Sequence, residues 1–393
     1  MNINTETGQV TAEIGFEKFP LWQGVRDRPG GQHFYPFRLK MDEKGFIRQR
    51  SSIEVEKKII ETYKDPGYIF PTSRPGSSSW GNWRGERYHS FIKKHFPLLE
   101  GKSVMEIGAG NLYMAERFIQ ENDVAKYLIV DPSVGDTSDD QRIRVIPTYF
   151  DEQFDPGDEQ PDLIVSINCL EHVSDPFEFL VKTNQLLQSD EARAILVFPD
   201  IEAQFRRGDY SVLCFEHINY FSEASAKQLI NQAGLTIVTC KTELDTLFYV
   251  LKRGEKQPQK TWSDIELFET AAEKFRNGFT PITTLIRKMQ EEGKCIAFHG
   301  ACNGLNTLFA LNDISTKNIL IFDGDENKDG MYIPSCSIPI LPATSPRYRE
   351  ADLLIVSAMT FYEQIHAFAT SQHDIPAKNI VPFCLTSENA ENF

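Results

Sequence analysis

The chain has 393 residues, of which 41% are apolar and 25% charged, and this predicts a globular protein of two or three domains. Its 41 basic and 56 acidic residues give a net charge of −15 at pH 7, which argues against binding to nucleic acid or to an anionic membrane surface. Seven scattered cysteines without a CxxC pair predict neither disulfides nor a zinc knuckle. With no signal peptide and no apolar membrane span, we expect a cytoplasmic protein.

Residues 1–80 are punctuated by Pro and Gly, and we expect an irregular N-terminal segment with one helix at 53–63. Residues 81–253 instead alternate short apolar stretches with amphipathic ones. Strands are predicted at 103–107, 126–131, 144–150, 162–167 and 194–199, before a helix at 222–234 capped by Ser222 and two closing strands. This alternation predicts a Rossmann-like α/β domain with a parallel sheet covered on both faces.

The rest of the chain is predicted to contain a linker and a second α/β domain. Residues 254–290 comprise a polar linker and a helix, with SDIE (263–266) as its capping box and Ile265, Phe268, Ala272 and Phe275 facing inward. In residues 291–393, the stretches KCIAFHGACNGLN, NILIFDGDENKDG, ADLLIVSAM and NIVPFC alternate again. They predict a smaller Rossmann-like α/β domain.

The first candidate site lies where strand 103–107 runs into the turn GAGN. Gly108 and Gly110 let the backbone approach a ligand at the carboxyl edge of the sheet. The next strand ends at Asp131, about 20 residues later, the spacing at which an acid reaches ribose hydroxyls. A dinucleotide site needs a third glycine where Tyr113 stands, so an NAD-dependent oxidoreductase is the weaker interpretation. S-adenosylmethionine, which has a ribose and no pyrophosphate, fits better.

MEIGAGN, Asp131 and the strand that enters SINCLEHVSDP together resemble the class I S-adenosylmethionine-dependent methyltransferases. The resemblance implies an acid on the ribose, side chains bordering the adenine, and two residues beside the sulfonium. An alternative for Glu106 is a carboxylate that stabilises the loop without touching the cofactor. Glu171 and His172 are interpreted as caps of the turn before Asp175. The implied cofactor residues are Glu106, Gly108, Gly110, Asn111, Asp131, Phe150, Asp151, Asn168 and Leu170.

A second candidate site is the stretch FEHINYFS (215–222), which follows the fifth strand after a polar loop. A histidine at this edge takes up a proton near neutral pH, so His217 is a candidate base with Glu216 beside it. From these residues alone, a histidine that anchors the loop through a backbone carbonyl is the commoner case.

EHINYFS resembles the EH-x-x-YFS segment of nucleotide-sugar C-methyltransferases, which methylate a ketosugar beside its carbonyl. The upstream YKDPGYIFPTSRPGSSS is also similar, and HGACNGLNTL, IFDGDENKDGMYIPSCSIPI, LLIVSAM and IVPF follow the order of that family's C-terminal domain. The resemblance spans roughly residues 60–390. It implies that His217 is the base that forms an enolate, with Glu216 as its partner. The implied substrate-binding residues are Tyr220, Gly300, Asn303, Asn306 and Asp323.

Three features depart from that family. No cysteine precedes Cys169, so the family's N-terminal zinc domain is missing and we expect no metal. Cys214 stands where the family has a tyrosine, and TELDTLF replaces its HGGS-type segment. An O-methyltransferase that uses the same base therefore stays an alternative, followed by an NAD-dependent oxidoreductase and a binding protein without catalysis. The expected partner is a small molecule, a nucleotide-linked sugar.

Overall fold

The N-terminal segment is more regular than its sequence predicts. The computed structural model describes residues 13–50, 52–63, 79–135, 138–255 and 264–385. Within them, strands β1 (Glu13–Pro20), β2 (Phe34–Met41) and β3 (Ile47–Gln49) form an antiparallel sheet, followed by helices α1 (Ile53–Tyr63) and α2 (Ser79–His95). The prediction of an irregular segment is wrong for these strands. In β2, Phe37 and Leu39 point inward while Arg38 and Lys40 are more exposed, an alternation that the Pro and Gly residues concealed.

The central domain contains a seven-stranded sheet in the order β10-β11-β8-β7-β4-β5-β6. All neighbours are parallel except β11, which runs antiparallel to β8 and to β10. The strands are β4 (Ser103–Ile107), β5 (Lys126–Val130), β6 (Ile143–Ile146), β7 (Leu163–Ile167), β8 (Arg193–Pro199), β10 (Leu235–Thr242) and β11 (Thr246–Arg253). The helices are α3 (Tyr113–Glu121), α4 (Pro176–Leu186), α5 (Glu202–Arg207) and α6 (Glu223–Gln232).

Both faces of this sheet are buried. Val104 packs into the core on one face, whereas its neighbours Met105 and Ile107 pack into the core on the other. Strands buried on both sides read as continuous apolar stretches, which is why the sequence predicted them well. The predicted Rossmann-like sheet is confirmed, and Ser222 caps α6 as expected.

The C-terminal domain contains a second, five-stranded parallel sheet in the order β14-β13-β12-β15-β16. Two helices, α7 (Ile265–Asn277) and α8 (Thr280–Glu291), precede it. Its elements are β12 (Ile296–His299), α9 (Asn303–Leu311), β13 (Ile319–Asp323), β14 (Ile340–Pro342), β15 (Leu353–Val356), α10 (Tyr362–His373) and β16 (Ile380–Pro382). The smaller α/β domain expected from the sequence is confirmed.

The inward face predicted for α7 needs correction. The helix buries Leu267, Phe268, Ala271 and Phe275, whereas Ile265 is 52% exposed. Ser263 of the expected capping box lies outside the described residues, and Asp264, which directly precedes α7, makes no side-chain cap. The Asp264 carboxylate accepts a hydrogen bond from Ser222 Oγ at 2.8 Å and so joins α7 to α6.

One hydrophobic core links the N-terminal sheet to the C-terminal domain. It contains Phe19 and Phe37 of the N-terminal sheet, Phe268 of α7 and Phe298 of β12. The N-terminal strands are therefore covered by the far end of the chain. Over the described residues, every helix is too short or too polar to cross a membrane.

Candidate active site

The carboxyl ends of β4 and β7 adjoin at the point where the strand order reverses direction. Helix α3 after β4 packs on one face of the sheet, whereas helix α4 after β7 packs on the other. In open α/β sheets this reversal opens a crevice in which ligands bind. The predicted glycine turn and the residues after β7 meet at this crevice.

The glycine turn after β4 is joined directly to Asp131. Gly108 has φ 74°, and a Cβ atom there would lie 2.5 Å from Cys169 Sγ, so only glycine fits. The Gly110 N–H donates to Asp131 Oδ2 at 2.8 Å, and Asp131 Oδ1 accepts from the Ser133 N–H and hydroxyl, both at 2.7 Å. An ionised carboxylate has about four acceptor positions, so Asp131 retains capacity for a ligand hydroxyl.

Glu106 lies beneath the turn and not in the crevice. Its side chain is 3% exposed and accepts a hydrogen bond from the Tyr127 hydroxyl of β5 at 2.9 Å. Burial raises the pKa of Glu106 to about 8, although the hydrogen bond from Tyr127 opposes the shift. This placement favours the alternative in which Glu106 stabilises the loop without touching the cofactor.

The other predicted cofactor residues lie around the same edge. Asn168, directly after β7, has φ 49°, and its Nδ2 lies 3.4 Å from the Tyr88 hydroxyl. The ring of Phe150 packs among core aromatics, whereas Asp151 beside it is exposed. Leu170 is buried in a 3₁₀ turn, Leu170–His172. Asn111 Oδ1 accepts from the Tyr113 N–H at 3.1 Å and shapes the start of α3.

The Glu216–His217 turn is held against this edge from two sides. It runs into a two-residue strand, β9 (Asn219–Tyr220), which pairs with β3 and makes the N-terminal sheet four-stranded. The Gln49 side-chain amide donates to the Phe215 carbonyl at 2.9 Å. The Ile218 N–H donates to the Glu171 carbonyl at 2.8 Å, which joins the turn to the segment after β7.

This arrangement brings two imidazoles and one carboxylate together. Ligand atoms of Glu171, His172 and His217 lie within 4.8 Å of one another, and the two rings are 5.1 Å apart at 74°. His172 Nδ1 lies 2.8 Å from the Glu216 carbonyl oxygen, which can only accept, so Nδ1 carries the proton. In neutral His172 the bare nitrogen is therefore Nε2, which lies 3.6 Å from Glu171 Oε1.

Burial favours the neutral forms of two members of this cluster. The pKa of Glu171 is raised by burial, because its side chain is 2% exposed. The pKa of the half-buried His217 is lowered to about 3, mainly by burial and further by the neighbouring His172. At neutral pH the His217 ring therefore keeps a free lone pair. Environments that push neighbouring titratable groups in opposite directions are typical of acid–base sites.

Comparison with known families gives the class of protein. Residues 80–240 match the family described as a methyltransferase domain, and residues 240–383 match the C-methyltransferase C-terminal domain. The chain is a class I S-adenosylmethionine-dependent methyltransferase. Its cofactor is S-adenosylmethionine, and the alternatives of an NAD-dependent oxidoreductase and of a protein without catalysis are set aside. No curated protein sequence matches the methyltransferase significantly.

Solved methyltransferases overlay on part of the chain. The N-methyltransferase NodS of Bradyrhizobium japonicum WM9, in complex with S-adenosyl-L-homocysteine, has a TM-score of 0.38 and 13% identity over 51% of this chain and 99% of its own. The N,N-8-amino-8-demethyl-D-riboflavin dimethyltransferase RosA of Streptomyces davawensis has a TM-score of 0.36 and 18% identity over 43% of this chain and 55% of its own. An S-adenosylmethionine-dependent methyltransferase of Mesorhizobium loti has a TM-score of 0.34 and 13% identity over 42% of this chain and 96% of its own. The assignment rests on the family matches and not on these overlays.

The crevice of the methyltransferase fits its cofactor. Gly108 and Gly110, both with positive φ, leave the carboxyl edge of β4 free of side chains. Asp131 stands at the end of β5 with acceptor capacity to spare, and Asn168 stands opposite at the end of β7. A glycine turn with an acid on the adjacent strand suits a ligand with a ribose and no pyrophosphate.

Two residues of the cluster were misjudged from the sequence. Glu171 and His172 were interpreted as caps of the turn before Asp175, but Asp175 caps α4 itself and accepts from the N–H groups of Phe177 and Glu178, both at 3.0 Å. Glu171 and His172 instead face His217. The available signal was their place directly after a strand that ends at the ligand edge.

Most residues predicted to bind substrate make structural contacts instead. The Tyr220 side chain is 2% exposed, and its hydroxyl donates to the Cys214 carbonyl at 3.0 Å and accepts from the Cys214 N–H at 3.1 Å. Tyr220 therefore positions the turn and does not present its hydroxyl to an acceptor. Asn303 Nδ2 donates to the Leu213 carbonyl at 2.7 Å.

The remaining three predicted substrate residues lie in the C-terminal domain. The polar side chains among them also bond to other side chains of the protein. The buried Asn306 donates to Gln32 Oε1 at 2.8 Å. Asp323 pairs with Lys328 at 2.9 Å, and Gly300 forms the turn after β12. These contacts give Asn306 and Asp323 roles in the fold, whereas Glu171, His172 and His217 lie together beside the carboxyl end of β7.

Proposed function

We propose that this methyltransferase methylates a carbon next to the carbonyl of a nucleotide-linked ketosugar. The observation that carries the proposal is the convergence of His172, His217 and Glu171 beside the cofactor crevice. C-methylation needs a base within reach of an acidic C–H bond, and such a base contributes on the order of 10²–10⁴ in rate. The match of residues 240–383 to a C-methyltransferase domain supports the same class of reaction.

We infer that the crevice holds the cofactor through its glycine turn and the two flanking strand ends. In this proposal Asp131 binds the ribose hydroxyls, Asp151 borders the adenine at the rim with Phe150 behind it, and Glu106 supports the turn from below. Bound there, S-adenosylmethionine supplies an electrophilic methyl group. The residues that complete the proposed binding set are Gly108, Gly110, Asn111, Asn168 and Leu170.

The proposed base is His217. Its neutral ring removes the proton from the carbon beside the acceptor carbonyl, and the electron pair of that C–H bond becomes the carbon nucleophile. The new C–C bond forms as the carbon–sulfur bond breaks with its electrons on sulfur, and the imidazolium later returns its proton to water. The Glu171 carboxyl lies within 4.8 Å of the imidazolium, whose positive charge favours the ionised form of that carboxyl and offsets the effect of burial.

The role proposed for Glu216 runs through its backbone. Its carbonyl fixes the tautomer of His172, so that Nε2 of that ring points a lone pair toward Glu171. His172 is then a positioning residue: its fixed ring helps to orient both the acceptor and the His217 ring that takes up the proton. Carbonyl contacts of this kind orient histidines at many catalytic sites.

Solvent-deuterium exchange tests the proposal. Incubated in D₂O with S-adenosylhomocysteine and a panel of nucleotide-linked ketosugars, the enzyme should introduce one deuterium next to the carbonyl of its acceptor. His217→Ala should abolish exchange and methyl transfer while leaving the dissociation constant of S-adenosylmethionine unchanged. Exchange that persists in His217→Ala would remove His217 as the base.

O-methylation is the second candidate, and Cys214 favours it. A thiol is a weak hydrogen-bond donor and a poor partner for an enolate oxygen, and burial raises the pKa of this thiol further. A hydroxyl acceptor needs only a base, and His217 supplies one. Methyl transfer to a sugar hydroxyl, with no deuterium exchange into any ketosugar, would establish this alternative.

A further inference from the structure

The three side chains at the acceptor edge also have the chemistry of a metal site. Glu171, His172 and His217 each offer one ligand atom, all within 4.8 Å of one another. Zinc in a tetrahedral site lies about 2.0–2.2 Å from nitrogen and oxygen ligands, which places those ligands about 3.4 Å apart. Small rotations of three side chains therefore bring the cluster to a bonding distance around one ion.

The orientation of His172 is the one that metal ligands show. Histidines that bind metals nearly always donate their other ring N–H to a carboxylate or a backbone carbonyl, which fixes the tautomer. His172 does this toward the Glu216 carbonyl at 2.8 Å and leaves Nε2 bare. The turn between residues 214 and 218 thus supplies a supporting contact as well as His217 itself.

An independent observation points to a missing partner at the same place. The Glu171 side chain is 2% exposed, and its Oε2 has no hydrogen-bond partner among the described residues. Burying a carboxylate oxygen without a partner is costly, and such atoms in native proteins usually bind a ligand, water or ion. His217 likewise offers a ring nitrogen to the same point.

The ligand set selects the class of ion. Two imidazoles and one carboxylate suit Zn²⁺, Co²⁺, Ni²⁺ or Fe²⁺, whereas Mg²⁺ and Ca²⁺ prefer oxygen ligands alone. The His172 side chain is 31% exposed, so the cluster is open on one side. Three protein ligands with an open position on the solvent side resemble catalytic zinc sites more than closed structural ones.

We propose that the acceptor-free enzyme binds one divalent transition-metal ion through Glu171, His172 and His217. No cysteine takes part, so the ligand set differs from the cysteine pairs of a zinc domain. The lone pair that binds the ion at His217 is the one that takes the acceptor proton under the proposed function. An ion bound there therefore inhibits methyl transfer in competition with the acceptor and not with S-adenosylmethionine.

Cobalt titration tests the binding without any assay of activity. Co²⁺ added to the untagged, EDTA-treated full chain should give visible d–d absorption that saturates at one ion per chain. His172→Ala and His217→Ala should each weaken binding roughly tenfold or more, about 1.4 kcal/mol. Glu171→Gln, which keeps the shape and removes the charge, should weaken it as well. His33→Ala, at an exposed histidine of β1–β2, is the matched control and should bind Co²⁺ as the wild type does.

Three outcomes would overturn the proposal. One is a titration that does not saturate, and a second is Co²⁺ binding that survives in the His172→Ala/His217→Ala double variant. The third is an intense near-ultraviolet sulfur-to-cobalt band, which would place the ion at a cysteine. An unchanged dissociation constant for S-adenosylmethionine shows that each variant is folded. If no ketosugar exchanges deuterium, the proposed acceptor fails while the cobalt result stands on its own.

Discussion

At the scale of single residues, the site depends on polar groups that are buried in their neutral forms. Glu106 is buried under the glycine turn, and Tyr127 is the partner that makes this tolerable. The pKa of this carboxyl is 4.5 in the unfolded chain and about 8 in the folded protein. Between these values folding requires uptake of a proton. Stability is therefore lost as the pH rises through this window.

Glu106→Gln should flatten that dependence. The wild type should lose unfolding free energy between about pH 5 and pH 8, at up to about 1.4 kcal/mol per pH unit. The glutamine variant has no such proton to lose, so its free energy of unfolding should increase relative to that of the wild type as the pH rises. Urea denaturation at pH 5, 6.5 and 8 measures this. A wild-type curve parallel to that of the variant would contradict the buried-acid account.

Gly108 is the second residue whose environment predicts a clear outcome. Gly108→Ala adds a Cβ that would lie 2.5 Å from Cys169 Sγ and forces φ 74° on alanine, so we expect a loss of about 2–4 kcal/mol and weaker cofactor binding. Gly157 has φ 59° with open space around its Cβ position, so Gly157→Ala is the matched control and should lose only about 1–2 kcal/mol. Equal losses would show that the contact with Cys169 does not matter.

At the scale of elements, the active-site turn belongs to two sheets. The strand β9 follows His217 directly in the chain but pairs with β3 of the N-terminal sheet. Gln49 of β3 contacts both sides of the turn, through the Phe215 carbonyl and the Ile218 carbonyl. Strands β1, β2 and β3, which lie outside both family matches, therefore support the turn that carries the proposed base.

Gln49→Leu should slow catalysis without disturbing the cofactor. The substitution leaves the buried Phe215 carbonyl without its donor, a loss of about 1–3 kcal/mol, and frees the turn that carries His217. We expect kcat to fall about tenfold or more while the dissociation constant of S-adenosylmethionine stays unchanged. Gln290→Leu in α8 removes an amide–carbonyl bond of similar length at the surface, to Ser315 at 2.7 Å, and should leave kcat unchanged. Equal kcat values for the two variants would refute the positioning role.

The strands of the central sheet were predictable from sequence because each is a continuous apolar stretch; the predicted 103–107 is the observed β4. The N-terminal strands were not, since they are half-exposed and carry Pro and Gly. The residues of the glycine turn were found by local spacing. Glu171 and His172 were missed because their role depends on the distant turn 214–217 folding back onto them, which no local pattern reveals.

At the scale of the whole molecule, the three parts are joined through the segment that precedes His217. Asn303 of α9 donates to the Leu213 carbonyl, and Asp245 of the β10–β11 turn accepts from Arg207 at 2.7 Å and from Thr360 at 2.6 Å. The C-terminal domain thus contacts the methyltransferase domain next to the turn that carries His217. This explains why residues of the C-terminal domain that were expected to bind substrate instead bond to other parts of the protein.

Asn303→Ala should couple a loss of stability to a loss of activity. The buried Leu213 carbonyl loses its donor, which costs about 1–3 kcal/mol, and the segment leading to His217 is no longer tied to the C-terminal domain. Asn312→Ala removes an amide–carbonyl bond of 2.8 Å to Leu308 at the C-terminal end of α9 and is the matched control. We expect both variants to unfold at lower urea, but only Asn303→Ala to lower kcat. An unaltered kcat in Asn303→Ala would mean that the domain contact is purely structural.

The pairing of β3 with β9 also sets the order in which the enzyme is completed during synthesis. Arg48 and Asn219, which bond across this pair at 3.1 Å, are 171 residues apart in the chain, and Gln32 and Asn306 are 274 apart. The N-terminal strands leave the ribosome first, yet their partners are among the later segments to emerge. Contacts of such long separation form slowly, and unpaired strand edges invite aggregation in the meantime. The proposed catalytic turn is therefore anchored to the N-terminal strands only after β9 has been translated, and a nascent chain that ends before β9 leaves that edge of β3 unpaired.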